Sequence, residues 1–126
     1  MKHEVRSNLQ KKICFAKISG ILDSIVIGQR WKNDIRIVLF VKLSEYLTLD
    51  DKLEHTIRQT IRMNASPRHV PAKILQVTDI PRTINGKLVE LAVRQVVHGE
   101  AVQNLYSIAN AYALKYFENR PELSCD

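Results

Sequence analysis

The stretch "IRIVLFVKL", Ile35 to Leu43, constrains this chain more than any other. It is rich in β-branched and aromatic residues, which favour a strand. A strand sends successive side chains to opposite faces, and the middle of this one is apolar on both. Such a strand belongs inside a sheet that is covered on both sides. Ser24 to Trp31, "SIVIGQRW", reads as a second strand, and Lys32, Asn33 and Asp34 form the turn between the two. A connection this short predicts an antiparallel hairpin with Ile35–Leu43 in the middle of the sheet. Lys73 to Thr78 is the third predicted strand.

Helical patterns separate these strands. Leu9, Ile13 and Ala16 recur at helical spacing, and Gly20 can end that helix. Thr48 followed by Asp51 resembles a capping box. The helix after it carries Leu49, Leu53, Ile57 and Ile61 on one stripe and turns Lys52, His55, Arg58, Gln59 and Arg62 to solvent. Two prolines in "SPRHVP", Ser66 to Pro71, stop it. Leu88 to Val97 is apolar on more than one side and predicts a well-buried helix. Leu105, Ile108, Tyr112 and Tyr116 stripe a last one. The fold class expected is α/β (α+β): a small, largely antiparallel three-stranded sheet with helices packed on it. At 126 residues and 45% hydrophobic, residues 1–126 should form a single compact domain.

Composition excludes several function classes. No apolar run approaches a membrane span and no signal-peptide pattern opens the chain, so a soluble cytoplasmic protein is expected. Cys14 and Cys125 form no C-x-x-C pair and read as free thiols. His3, His55, His69 and His98 show no ligand spacing, and no metal site is expected. The net charge of +6 favours an anionic partner. No basic run exceeds Lys11-Lys12, and arginine is not interleaved with aromatics, so nucleic acid is a weak candidate.

The loop in "DIPRTINGKLVELAV", Asp79 to Val93, carries the chemistry. Pro81 fixes its own backbone and biases Ile80 toward an extended one. Asn85-Gly86 is a common pair for positive φ, so the chain turns sharply there. Lys87 then stands at the start of a helix, where the dipole disfavours a cation by about 0.3–1 kcal/mol. By itself Lys87 is either an ordinary exposed lysine after a turn or a cation aimed at an anion supplied by something else.

"P-x-T-x-x-G-K", here Pro81, Thr83, Gly86 and Lys87, resembles the last core motif of the adenylate-forming enzymes, the superfamily of acyl-CoA synthetases, peptide-synthetase adenylation domains and luciferases. "ILDSIVIGQRW", "DIRIVLFVKL", "SPRHVPAKI", "VELAVRQVVHGE" and "AN-x-x-AL-x-YF" extend the likeness over roughly Lys17 to Phe117, toward the C-terminal lid domain of the acetoacetyl-CoA synthetases. Glu90 stands where many superfamily members have arginine and where the acetoacetyl-CoA synthetases have the acidic version. Asn85 replaces the more usual serine, and Ala111 replaces a proline, which predicts a straighter last helix.

The resemblance implies Lys87 as the catalytic lysine of adenylation, with Pro81, Thr83, Asn85 and Gly86 shaping its loop. It implies Arg62 as a contact to a CoA phosphate, Arg68 as a weaker CoA or interdomain contact, and no role for Arg82. ATP with Mg, acetoacetate and CoA would be substrates of the complete enzyme, with none held by this chain alone. The large N-terminal domain, with its nucleotide and acyl pockets, is missing from the sequence, as are the hinge and hairpin that join it. Residues 1–16 do not match. Met1 suggests a short reading frame of its own: a split enzyme whose partner supplies the large domain, or a gene remnant. The exposed lid surface makes a homo-oligomer possible. A non-catalytic interaction module that keeps the lid fold is the alternative, and a basic nucleic-acid-binding domain ranks behind it.

Overall fold

The computed structural model describes residues 20–45, 47–64, 70–84, 89–102 and 105–124. The helix expected before Gly20 lies outside these residues. Strand β1 (Ile21–Trp31) and strand β2 (Asp34–Leu43) form the expected antiparallel hairpin. Lys32 and Asn33 both take positive φ, 49° and 63°, which makes the two-residue type I′ turn that suits the twist of paired strands. Helix α1 (Asp51–Asn64) returns the chain, and strand β3 (Lys73–Gln76) pairs with β2 in parallel. The order is β1-β2-β3, with β2 central as its sequence requires. The sheet is therefore mixed, one pair antiparallel and one parallel.

Alternation along the strands sorts the core into two layers. Val26, Leu39 and Ile74 form a cross-strand row on one face, joined by Val41 and by Ile57 and Ile61 of α1. Ile25, Phe40 and Leu75 form the row on the other face. There they meet Ala92 and Val93 of helix α2 (Glu90–Val97), together with Leu114, Phe117 and Leu123. The Phe40 and Phe117 rings meet edge to face with centroids 4.6 Å apart. Gln29, the buried polar residue of the sheet, donates from its amide to the Leu123 carbonyl at 2.8 Å and accepts from Arg36 Nε at 2.7 Å. Arg36 also donates to the Leu123 carbonyl and stacks over Trp31.

Four local expectations give way to tertiary context. The first turn of α1 is capped by Asp50, whose Oδ1 accepts from the Leu53 N–H at 2.8 Å, two residues nearer the helix than Thr48. Arg58 is half-buried, because its guanidinium reaches the Pro71 carbonyl at 3.3 Å and Glu54 at 3.4 Å. Helix α2 is short and packs on one side only, so Leu91 is 57% exposed.

The last helix is not continuous, and Ala111 does not straighten it. Residues Leu105–Ser107, Ala111–Phe117 and Pro121–Ser124 are separate 3₁₀ segments. The backbone between the first two is paired elsewhere: Ser107 accepts from the Ile84 N–H, and the Ala109 N–H donates to Arg82. It cannot also make i→i−4 bonds, and the tighter turn buries Ala113, Leu114 and Phe117, leaving Tyr112 exposed and Tyr116 half-buried against the core.

Candidate functional site

The motif loop leaves the sheet under tight control. After β3 the Val77 N–H donates to Val41 at 2.9 Å, and Ile80 and Pro81 are buried. The chain then runs antiparallel to residues 107–109. Thr83 pairs with Ile108, the Ile84 N–H donates to Ser107 at 3.1 Å, and the Ala109 N–H donates to Arg82 at 2.8 Å. Asn85, Gly86 and Lys87 lie outside the described residues, as does Arg68. Val89, the next described residue, stands one residue before α2.

A polar clamp holds this entry. Asp79 accepts from the Tyr112 hydroxyl at 2.7 Å, from Asn110 Nδ2 at 3.2 Å and from Lys42 Nζ at 3.2 Å. Its own Oδ1 also accepts from the Ile80 N–H at 2.9 Å. Partial burial pushes the carboxyl pKa up, but the donors from Tyr112, Ile80, Asn110 and Lys42 outweigh it and hold the pKa at about 2. Conversely, its hydrogen bond to Asp79 raises the pKa of Tyr112.

Asn110 reads the backbone on both sides of the proline. Its Nδ2 donates to the Ile80 carbonyl at 3.0 Å, and its Oδ1 accepts from the Arg82 N–H at 2.8 Å. The Arg82 guanidinium pairs with the Asp23 carboxylate. Asp23 and Lys42 face each other across β1 and β2, just after a register irregularity in β1. The sheet end thus offers one negative and one positive group, and the loop brings Arg82 and Asp79 to meet them.

Around this clamp lies an apolar rim, with Ile84 73% and Tyr106 85% exposed. Arg62 is exposed in the last turn of α1, whose buried stripe packs on the opposite face of the sheet from the motif loop. The structure therefore brings Pro81 and Thr83 together on one strip and sets Arg62 on the other layer. Among the described residues no group of three His, Cys, Asp or Glu side chains gathers to hold a metal, and no helix is long and apolar enough to cross a membrane.

Sequence reasoning missed Asp23, Asp79, Asn110 and Tyr112, and gave Arg82 no part. Asp79 beside Ile80-Pro81, and Asn110 in "AN-x-x-AL", were visible as letters, but nothing in their spacing says that they meet.

No protein-family profile matches the chain. Acetoacetyl-coenzyme A synthetase of Rhizobium meliloti (strain 1021) is 52% identical over 107 residues, 85% of this chain and 16% of the relative. Acetoacetyl-CoA synthetase of Caenorhabditis elegans is 44% identical over 103 residues, 80% of this chain and 15% of the relative. Among solved structures, acetoacetyl-CoA synthetase from Streptomyces lividans superposes with a TM-score of 0.76 at 35% identity, over 89% of this chain and 17% of that one. A benzoate CoA ligase from Burkholderia xenovorans LB400 superposes at 0.61 over 71% of this chain and 18% of that one, and at 19% identity it speaks for the fold alone. The chain spans 15–16% of the length of the two curated relatives. By sequence and by fold, it is a homologue of one segment of the acetoacetyl-CoA synthetases, within the adenylate-forming acyl-CoA synthetases.

Proposed function

We propose that this chain is the C-terminal lid domain of an acetoacetyl-CoA synthetase of the cytoplasm, and that it supplies Lys87 to the adenylation step. The observation that carries this reading is the P-x-T-x-x-G-K sequence of Pro81–Lys87 on a chain homologous to acetoacetyl-CoA synthetases. The large N-terminal domain, in cis or in trans, brings the nucleotide and acyl pockets. ATP with Mg, acetoacetate and CoA are substrates of the assembled enzyme.

The acetoacetate carboxylate attacks the α-phosphate of ATP, giving acetoacetyl-AMP and pyrophosphate. The CoA thiol then takes the acyl group, giving acetoacetyl-CoA and AMP. The first step presses two anions together. An ammonium group between them offsets the repulsion, and its charge is worth most in a cleft from which water is excluded. A lid that turns between steps then withdraws the lysine. The two layers suit such a turn: Ile80, at the entry to the motif loop, packs in one, and Ile57 and Ile61 of α1, the helix that carries Arg62, the candidate CoA-phosphate contact, pack in the other. Arg68 follows on the same chain segment as a second CoA or interdomain candidate. The exposed rim of Ile84 and Tyr106 supports a docked partner, because apolar surface beside a functional loop is commonly covered in the assembly.

The test joins this chain to the Rhizobium relative in place of the matched segment. The chain alone should release pyrophosphate at background, whereas the chimera should adenylate acetoacetate. In the chimera Lys87→Ala should lower adenylation by about 100-fold or more and spare thiolation from preformed acetoacetyl-AMP. Equal losses in both half-reactions would make Lys87 structural and overturn the reading.

A further inference from the structure

We infer that Asp79 and Asn110 are positioning residues for the Lys87 loop: they latch its entry, Ile80–Arg82, to the sheet end and to the 107–112 segment, and so set where Lys87 stands when the lid docks. This rests on the proposed function, which it deepens.

The geometry around Pro81 carries the argument. A proline has no N–H, so the strip cannot be held there by ladder hydrogen bonds. The planar amide of Asn110 fills that gap. It donates to the carbonyl before the proline at 3.0 Å and accepts from the N–H after it at 2.8 Å. One rigid group thereby fixes both peptide planes that flank Pro81. Asp79 orients that amide from behind, taking the second Nδ2 proton at 3.2 Å. Asp79 is itself held by Tyr112 and Lys42. The Asp23–Arg82 pair adds a second anchor to the same strip.

The chemistry of these residues is specific. Aspartate at position 110 would offer no donor to the Ile80 carbonyl and would face the Asp79 carboxylate as a like charge. Leucine would offer neither a donor nor an acceptor. The clamp sits at the edge of the domain, while the core beneath is closed by Phe40, Val93 and Phe117. Loosening it should therefore release the loop before it unfolds the domain. Displacing a reacting group by about 1 Å costs on the order of 100-fold in rate, so a small drift at Arg82 becomes a large loss five residues on, at Lys87.

The test uses Asn110→Asp, Asp79→Ala and Tyr112→Phe. Tyr112 is 60% exposed, so its variant removes one donor and leaves the fold in place. On the chain itself, amide hydrogen exchange of the 80–84 peptide should accelerate about 10-fold or more in the first two variants, with hairpin amides unchanged. In the chimera, adenylation should fall about 10- to 100-fold for these two and less for Tyr112→Phe. Thiolation from preformed acetoacetyl-AMP should stay near the parent rate, a split that a merely structural defect would not give.

If Lys87→Ala leaves adenylation intact, the lysine reading fails and this inference fails with it. If Lys87→Ala is slow but all three clamp variants match the parent, only the positioning role is overturned. Equal losses in both half-reactions, or faster exchange throughout the hairpin, would overturn it too, by making the clamp a general brace.

Discussion

The two faces of the sheet are held by different kinds of force. The α1 face is built from aliphatic side chains, Val26, Leu39, Val41, Ile57, Ile61 and Ile74, pressed together along one stripe. The opposite face has an apolar centre too, but its margin is a set of directed hydrogen bonds around Asp79 and Asn110. Burial is non-directional, so it gives stability and tolerates small shifts. Hydrogen bonds weaken steeply with angle and distance, so they fix position. The face that carries the motif loop is the one where position is enforced.

Mutations can separate the two contributions. The largest stability loss is expected from Phe117→Ala, about 3–5 kcal/mol, because the ring is fully buried against Phe40. Ile57→Ala on the other face should cost about 2–5 kcal/mol. Urea unfolding should show both losses in a single transition, and a separate transition for Ile57→Ala would mean that the faces are independent units. Gln29→Ala should follow at about 1–3 kcal/mol, since it removes one donor from the Leu123 carbonyl, which keeps Arg36, and takes an acceptor from Arg36 Nε. Asp79→Ala should cost only about 0.5–1.5 kcal/mol while its loop exchanges much faster, and a loss as large as that of Phe117→Ala would erase the distinction drawn here.

Acid should act on the motif-side layer in two stages. Burial lowers the His98 pKa, and the neutral ring bridges α2 to β1: Nδ1 meets the Arg94 carbonyl and Nε2 accepts from the Arg30 N–H. A base whose folded pKa is lowered stabilises the fold above its ordinary value. That contribution should fade as pH falls below about 6.5 and should vanish in His98→Ala. Asp79, held at about 2, contributes above its ordinary 3.8 and loses that contribution as pH falls from there toward 2. Thermal melts across pH 2–8 would read both. The smallest effect is expected at the turn, where Lys32→Gly relieves a positive φ and should raise stability by up to about 1 kcal/mol.

The hairpin was legible because its cues are local: apolar alternation, a short polar turn and a middle strand apolar on both sides. The parallel direction of β3 was not, because it follows from α1 carrying the chain back and not from "KILQ" itself. The stripe of Leu105, Ile108, Tyr112 and Tyr116 fitted a helix, yet the backbone around Ser107 and Ala109 is claimed by the motif strip. Asp79 and Asn110 lie 31 residues apart, and no periodicity links them. The motif residues Pro81 and Thr83 could be picked out by resemblance, but the side chains that aim their loop could not.

The hydrogen bond from Gln29 to Leu123 spans 94 residues. A chain made from its N-terminus forms the hairpin early, from neighbours in sequence, and then carries a glutamine amide in the sheet with no acceptor. Closing so long a loop is slow compared with forming a hairpin. The stretch that seals the motif-side layer thus leaves the ribosome long after the hairpin. Until it docks, Phe40 and its neighbours face solvent, and the half-made domain is at its most vulnerable to proteases and to sticking to other chains.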